Sequence, residues 1–302
     1  MKAKTQSVKN NLGLVCITTT DAVRYKTVTR KRLLSFDEAA QREILRTLYR
    51  ENIVRINNAI DFCATNDINL YRLTSGLFPF SDEQIGAEIL DEFADQLSVT
   101  GNKAMANNLR IVMHPDQFVV LSSDSETVVE NSVKILKMHT RTLDLLNQPR
   151  SEWATMNIHG GKADRIDNLV AAIEKLPDEI RSRISFENDE YSYSSAQVLE
   201  VCRRANVRMV FDAHHHVCRE KLDSYEDESV AEMFWAARET WAKPENQLVH
   251  ISNGREKFQD RAHSDLIYAM PTAFRFAEWI EVEAKHKEIA IAKLKGEWSN
   301  QK

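Results

Sequence analysis

Eight short apolar runs rich in β-branched residues recur along the chain, and the longer segments between them carry apolar residues at three- and four-residue spacing. That switching of period marks repeated strand–helix units around a parallel sheet. The runs cover residues 12–17, 68–73, 109–113, 154–158, 184–186, 207–211, 248–251 and 280–282. Amphipathic stretches at 36–65, 82–107, 126–146, 164–176, 194–204 and 228–241 lie between them. Eight strands alternating with helices predict an α/β chain closed into a (β/α)8 TIM barrel. It is expected to be a single domain over residues 1–302, with a core from about 12 to 285, a basic C-terminal tail at 286–302 and frayed ends.

Local signals accompany the pattern. Ser35 before Phe36-Asp37-Glu38, and Ser81 before Asp82-Glu83-Gln84, predict two capping boxes. Residues 252–271 read as a long loop in place of a helix, and loops of that length are usually functional.

Composition narrows the partners. With 40 Lys and Arg against 45 Asp and Glu, a uniformly basic coat is excluded, so any anion-binding patch must be local. No apolar stretch approaches the roughly 18 residues a membrane span needs, and the start, Met1-Lys2-Ala3-Lys4, continues into polar sequence. The expectation is a chain that is neither exported nor membrane-bound. Cys16, Cys63, Cys202 and Cys218 form no Cys-x-x-Cys pair and are expected to be reduced thiols, which fits the cytoplasm.

In a barrel of this kind, side chains at the carboxyl ends of the strands converge on one face. His114, His159, Glu187, Asp212, His250 and Glu283 stand at or near six of those ends. A lone histidine at a strand end is more often a hydrogen-bonded structural residue than a ligand. Six convergent ionisable groups are different, because desolvation and like-charge repulsion would cost several kcal/mol without cations. Imidazole with carboxylate and no thiolate suits Mn²⁺, Zn²⁺ or Fe²⁺. The ligands outnumber the needs of one ion, so two or three ions are expected, a device that clamps both oxygens in phosphate-ester hydrolysis. His214, His215 and His216 follow Asp212 on the sixth loop, where the bland alternative is a solvated loop, and His263 lies on the seventh.

The first loop, residues 18–34, holds Arg24, Lys26, Arg30, Lys31 and Arg32 against Asp21 alone, a local patch suited to a phosphate backbone. Ordinary solvated surface is the competing reading. Lys285, His286, Lys287, Lys293 and Lys295 repeat the sign near the C-terminus. On the third loop, His114-Pro115-Asp116 is followed by Gln117 and Phe118, an amide and an aromatic that could fill a gap in a duplex or stack on exposed bases. Phe118 reads equally well as a core residue before Val119-Val120-Leu121.

At these residues the chain resembles the UV damage endonuclease family, a DNA-repair relative of endonuclease IV. The likeness is carried by Leu12-Gly13-Leu14-Val15-Cys16, Tyr71-Arg72-Leu73-Thr74-Ser75, Val112-Met113-His114-Pro115-Asp116-Gln117-Phe118 and Ile158-His159-Gly160-Gly161-Lys162. It continues through Phe186-Glu187-Asn188-Asp189-Glu190, Val210-Phe211-Asp212-Ala213-His214-His215-His216, Val249-His250-Ile251-Ser252, Ala262-His263-Ser264-Asp265 and Val282-Glu283-Ala284-Lys285.

The resemblance implies a three-metal, often manganese-dependent barrel that cuts damaged double-stranded DNA 5′ to UV photoproducts without ATP or another nucleotide cofactor, as a monomer. It makes His114, His159, Glu187, Asp212, His215, His250, His263 and Glu283 metal ligands, with Glu187 bridging and Glu187, Asp212 and Glu283 catalytic. The family ligand stands three residues beyond the aspartate, which selects His215. Gln117 and Phe118 become a probing pair, while Arg24, Lys26, Arg30, Lys31, Arg32 and Lys285 become DNA contacts. Some members carry Tyr where this chain has Leu14 and Phe118, and Lys where it has Leu248, so roles resting on those hydroxyls or that amine do not transfer. Competing expectations are an abasic-site endonuclease on the same barrel, a divalent-metal sugar isomerase, which leaves the basic loop unexplained, and a lesion-binding module, which has no use for six buried ionisable groups.

Overall fold

In the computed structural model, which describes residues 8–299, eight parallel strands close into a barrel in chain order. They are β1 (Asn11–Val15), β2 (Leu70–Leu73), β3 (Arg110–Met113), β4 (Met156–His159), β5 (Ile184–Glu187), β6 (Arg208–Asp212), β7 (Leu248–Ile251) and β8 (Trp279–Val282). The first and last strands pair through Asn11 with Trp279, Leu12 with Ile280 and Gly13 with Glu281, completing the expected (β/α)8 barrel. Nearly every strand residue is buried, as parallel strands covered on both faces require.

The helices are α1 (Arg30–Leu33), α2 (Glu38–Thr65), α3 (Gln84–Asp91), α4 (Ala94–Ala106), α5 (Glu126–Leu145) and α6 (Ile166–Glu174). After them come α7 (Asp178–Arg181), α8 (Ser195–Ala205), α9 (Ala213–Glu220), α10 (Glu228–Arg238) and α11 (Lys287–Ser299). Among the described residues no helix is long and apolar enough to cross a membrane.

Several local expectations are corrected. β1 ends two residues early because Cys16 turns the chain with a φ of 61°. Neither predicted capping box forms. Asp37, not Ser35, caps α2 by accepting from the Ala40 N–H, and Ser81 instead donates to the Phe78 carbonyl. A true box stands at Ser194 and Gln197 on α8. The stretch 82–107 breaks into two helices, and Gly101 on α4 comes so close to the Leu146 carbonyl that no Cβ would fit. The C-terminal tail is not frayed over its described part, since α11 buries Ala290, Ile291 and Leu294 against the barrel and residues 300–302 lie outside the described residues. At the other end residues 1–7 also lie outside, and Asn10 is tied to the Phe274 carbonyl.

Arg110, the first residue of β3, plugs the amino-terminal end of the barrel. It is fully buried and donates to the carbonyls of Trp153 (2.8 Å), Glu152 (2.8 Å) and Asn246 (2.9 Å). The rings of Trp153 and Trp279 lie 5.2 Å and 5.1 Å from its guanidinium carbon.

His139 on α5 gives a pH prediction. Burial pushes its pKa down to about 4, so the folded state resists a proton that the unfolded chain accepts near 6.5. The stability this neutral ring contributes is present above pH 6.5 and is lost as pH falls from 6.5 toward 4. The slope is at most about 1.4 kcal/mol per pH unit. Urea midpoints at pH 7 and pH 5 should lie closer together in His139→Leu than in wild type.

Candidate metal centre

Six elements deliver the candidate ligands. His159, Glu187 and Asp212 are the last residues of β4, β5 and β6, His114 and Glu283 directly follow β3 and β8, and His250 is the third residue of β7. They converge as expected. Three groups bring ligand atoms within 4.8 Å of one another: His114, His159 and Glu187; Glu187, Asp212 and His215; His250, Glu281 and Glu283. Glu187 is shared by the first two. One of its oxygens lies 3.4 Å from His114 Nε2 and 3.1 Å from His250 Nδ1, and the other 3.4 Å from His215 Nδ1. Asn157 donates to the same carboxylate at 2.5 Å and fixes its plane.

Three buried carboxylates, Glu187, Asp212 and Glu281, and the half-buried Glu283 gather here with one buried arginine, Arg72, which pairs with Glu281 and Glu283. Such an excess of negative charge in a low-dielectric site costs several kcal/mol unless cations offset it. The donor atoms fit a small divalent cation. Neighbouring corners of an octahedron about 2.1 Å from its centre lie about 3 Å apart, close to the spacings around Glu187. Buried His159 Nδ1, Asp212 Oδ2 and His250 Nδ1 have no hydrogen-bond partner among the described residues, which leaves them available to a cation.

The protonation equilibria record the same field. Burial pushes the Glu187 carboxyl up, but His250 and His159 outweigh it and hold the group well below the usual carboxylate range. Glu283 follows the same pattern with Arg72 and His250 as the opposing charges. Burial pushes His250 and His215 down, yet Glu187 and Glu281 around the first, and Asp212 and Glu187 around the second, lift both well above an ordinary histidine. His159 moves the other way, because burial outweighs Glu187 there.

The sixth motif is a helix and not a solvated loop. Asp212 caps α9 by accepting from the His215 N–H at 2.7 Å, and helical geometry turns successive side chains about 100° apart. The three histidines therefore diverge. His214 is buried between Tyr225 Oη (2.7 Å) and the Asp260 carbonyl (2.8 Å), and His216 between Ser195 Oγ (2.6 Å) and Ser229 Oγ (3.0 Å). Only His215 faces Glu187. His263 stands farther off, with Nδ1 3.9 Å from Glu283 and outside the three groups.

Beside these ligands opens a cavity of about 380 Å³ lined by His114, Gln117, His159, Glu190, Tyr191 and His215, among others. Gln117 borders it, and Phe118 is 70% exposed, so the core reading of that aromatic is overturned. The basic first loop is partly neutralised. Arg24 bonds the Thr18 carbonyl and lies 3.7 Å from Asp21, Lys26 pairs with Glu51 at 2.7 Å, and Arg30 pairs with Glu83. Lys31 and Arg32 are exposed on α1, and Lys285 is exposed after β8.

Sequence reading missed Arg72 and Glu281. Each is a charge inside an otherwise apolar parallel strand, and that is itself a signal, since a fully buried strand carries a charge only where a partner awaits it.

The chain is similar to known proteins along nearly its whole length. A family model described as UV-endonuclease UvdE matches residues 10–302. The chain is 52% identical over 295 residues to a UV DNA damage endonuclease of Nostoc sp., covering 97% of this chain and 92% of that one. It is 46% identical to a UV DNA damage endonuclease of Deinococcus radiodurans, with 94% of each chain covered. The crystal structure of SacUVDE superimposes with a TM-score of 0.80 at 24% identity, covering 95% of this chain and 98% of that one, which is a likeness of fold.

Proposed function

Because the chain belongs to the UV-endonuclease UvdE family, matching its model from residue 10 to residue 302, we propose that it is a DNA repair endonuclease that incises the damaged strand 5′ to UV photoproducts by metal-assisted phosphodiester hydrolysis. The observation that carries this reading is the shared carboxylate of Glu187, which belongs to two candidate ligand groups at the mouth of the barrel. His114, His159, Glu187, Asp212, His215, His250 and Glu283 would hold two or three divalent ions, Mn²⁺ foremost, with His263 at the edge of the set. Bound there, such ions polarise the phosphate and neutralise charge on the attacking and leaving oxygens. Glu187, Asp212 and Glu283 would hold such ions beside the reacting phosphate. The proposed enzyme acts as a single-domain monomer in the cytoplasm and needs no ATP.

The test uses end-labelled duplexes carrying one cyclobutane dimer, one 6-4 photoproduct or one abasic site, with and without Mn²⁺. Metal-dependent cuts on the 5′ side of both photoproducts are expected. Cleavage of the abasic duplex alone would favour the narrower abasic-site enzyme, and no cleavage of any duplex in metal-replete buffer would overturn the reading.

Lys31 and Arg32 are free of ion pairs among the described residues and supply the first loop's available positive charge. Replacing Arg30, Lys31 and Arg32 together by Gln should flatten the salt dependence of DNA binding. Every phosphate that goes unneutralised takes about 0.9 off the log–log slope. Lesion preference should change little, and an unchanged slope would make the loop ordinary surface.

Gln117 and Phe118 are proposed to wedge into the duplex where damaged bases leave the stack. An intact pair resists extrusion by a few kcal/mol more, which makes the wedge selective. Phe118→Ala removes a stacking interaction worth roughly 1–3 kcal/mol, so affinity for damaged duplex should drop about tenfold while undamaged affinity barely moves. Fluorescence anisotropy on matched duplexes checks this, and equal losses on both would remove Phe118 from the probe.

A further inference from the structure

Arg72 on β2 and Glu281 on β8 form a buried pair beneath the candidate ligands, and nothing in the proposed reaction uses it. Arg72 Nη1 lies 3.0 Å from Glu281 Oε2 and 2.6 Å from Glu283 Oε1, so one guanidinium nitrogen ties the two carboxylates together. His250 is the cross-strand neighbour of Glu281 in the β7–β8 ladder, and its Nε2 approaches Glu281 Oε2 to 2.5 Å. Neither ring nitrogen of His250 makes a hydrogen bond of good geometry among the described residues. Even so, a ring nitrogen and a carboxylate oxygen tolerate that distance only with a proton between them. The hydrogen of a neutral His250 therefore belongs on Nε2. Its lone pair then lies on Nδ1, which faces Glu187 at 3.1 Å and Glu283 at 3.4 Å.

We propose that Glu281, held in place by Arg72, is a positioning residue that sets the orientation and tautomer of His250 so that Nδ1 points at a divalent cation shared with Glu187 and Glu283. This inference rests on the metal reading given above. A carboxylate behind a ligating histidine is a general device, and its removal costs about 10–100-fold in metal affinity. Two observations set Glu281 behind His250 instead of beside it as a further ligand. Its Oε2 is already engaged by both Arg72 and His250, and Glu283, two residues farther along the chain, offers a carboxylate to the same cluster, which leaves the unpartnered Oε1 as the one Glu281 atom whose role the ion count must decide.

Mn²⁺ titration of metal-stripped protein, with free Mn²⁺ counted by electron paramagnetic resonance, gives affinity and stoichiometry together. Glu281→Leu removes the acceptor and should weaken Mn²⁺ binding about 10–100-fold with the number of bound ions unchanged. Glu281→Gln keeps an oxygen facing Nε2–H and should recover most of the affinity. Loss of one bound ion in both variants would make Glu281 a ligand and overturn the assignment, as would wild-type affinity in Glu281→Leu. Should the leucine variant not fold, long-range ¹H–¹⁵N spectra of the Zn²⁺-loaded wild-type protein decide the matter. The hydrogen of His250 is expected on Nε2, and finding it on Nδ1 would overturn the proposal. A wild-type protein that takes up no Mn²⁺ would sink the metal reading itself, a distinct failure visible before any variant is made.

Discussion

Glu187→Gln is expected to abolish strand cleavage while leaving the barrel folded and still able to bind damaged duplex. Side-chain volume is unchanged, and the amide can still face Asn157, but one negative charge leaves the point where two ligand groups meet. A metal site supplies several kcal/mol of transition-state stabilisation, so losing its bridge should lower turnover by about three powers of ten or more. Single-turnover cleavage of a dimer-containing duplex in saturating Mn²⁺ measures the loss, and anisotropy on the same duplex measures binding. Turnover within tenfold of wild type would remove Glu187 from the bridging role.

Arg110→Met should destabilise the barrel severely, for a reason remote from the chemistry. The thioether matches much of the arginine's length but donates nothing, so three carbonyls, those of Glu152, Trp153 and Asn246, lose their donors in a buried setting. Each orphaned group costs about 1–3 kcal/mol. Three tryptophan rings within 6 Å of the guanidinium lose their cation as well. Burial pushes the Arg110 pKa down to about 9, and Glu281 and Glu152 hold it from sinking further. The charge is thus already costly to keep, and its hydrogen bonds must offset that cost. Urea denaturation should show a loss of about 3–5 kcal/mol, with cleavage per folded molecule unchanged because this plug lies at the end of the barrel opposite the candidate metal centre. A loss under 1 kcal/mol would mean water or backbone shifts take over the carbonyls.

Much of this molecule was legible in its residues, and the reason is geometric. In a parallel barrel a single rule, that strands end at the reactive face, turns a one-dimensional pattern into a cluster, and His114, His159, Glu187, Asp212 and Glu283 obeyed it. What the pattern concealed depended on neighbours distant in sequence. Arg72 and Glu281 are 209 positions apart and gain meaning only when β1 joins β8 and β2. The helix starts failed differently: Ser35 and Asp37 are both plausible caps, and only the path of the chain out of α1 decides between them. The histidine run 214–216 showed its residues without their directions, which the Asp212 cap supplied by starting a helix there.

That the candidate ligands are spread over six strand ends has a consequence for assembly. Each candidate ligand group is supplied by neighbouring strands, but the full set, from His114 after the third strand to Glu283 after the eighth, is brought together only when the whole circuit is joined. Pairings this far apart in sequence form late, because the loop entropy they close must be overcome first. Uptake of the full complement of cations should therefore follow ring closure during refolding, and a half-barrel intermediate, however helical, should hold fewer ions than the closed barrel. Metal capture becomes a stopwatch for the final step of folding, read independently of any DNA.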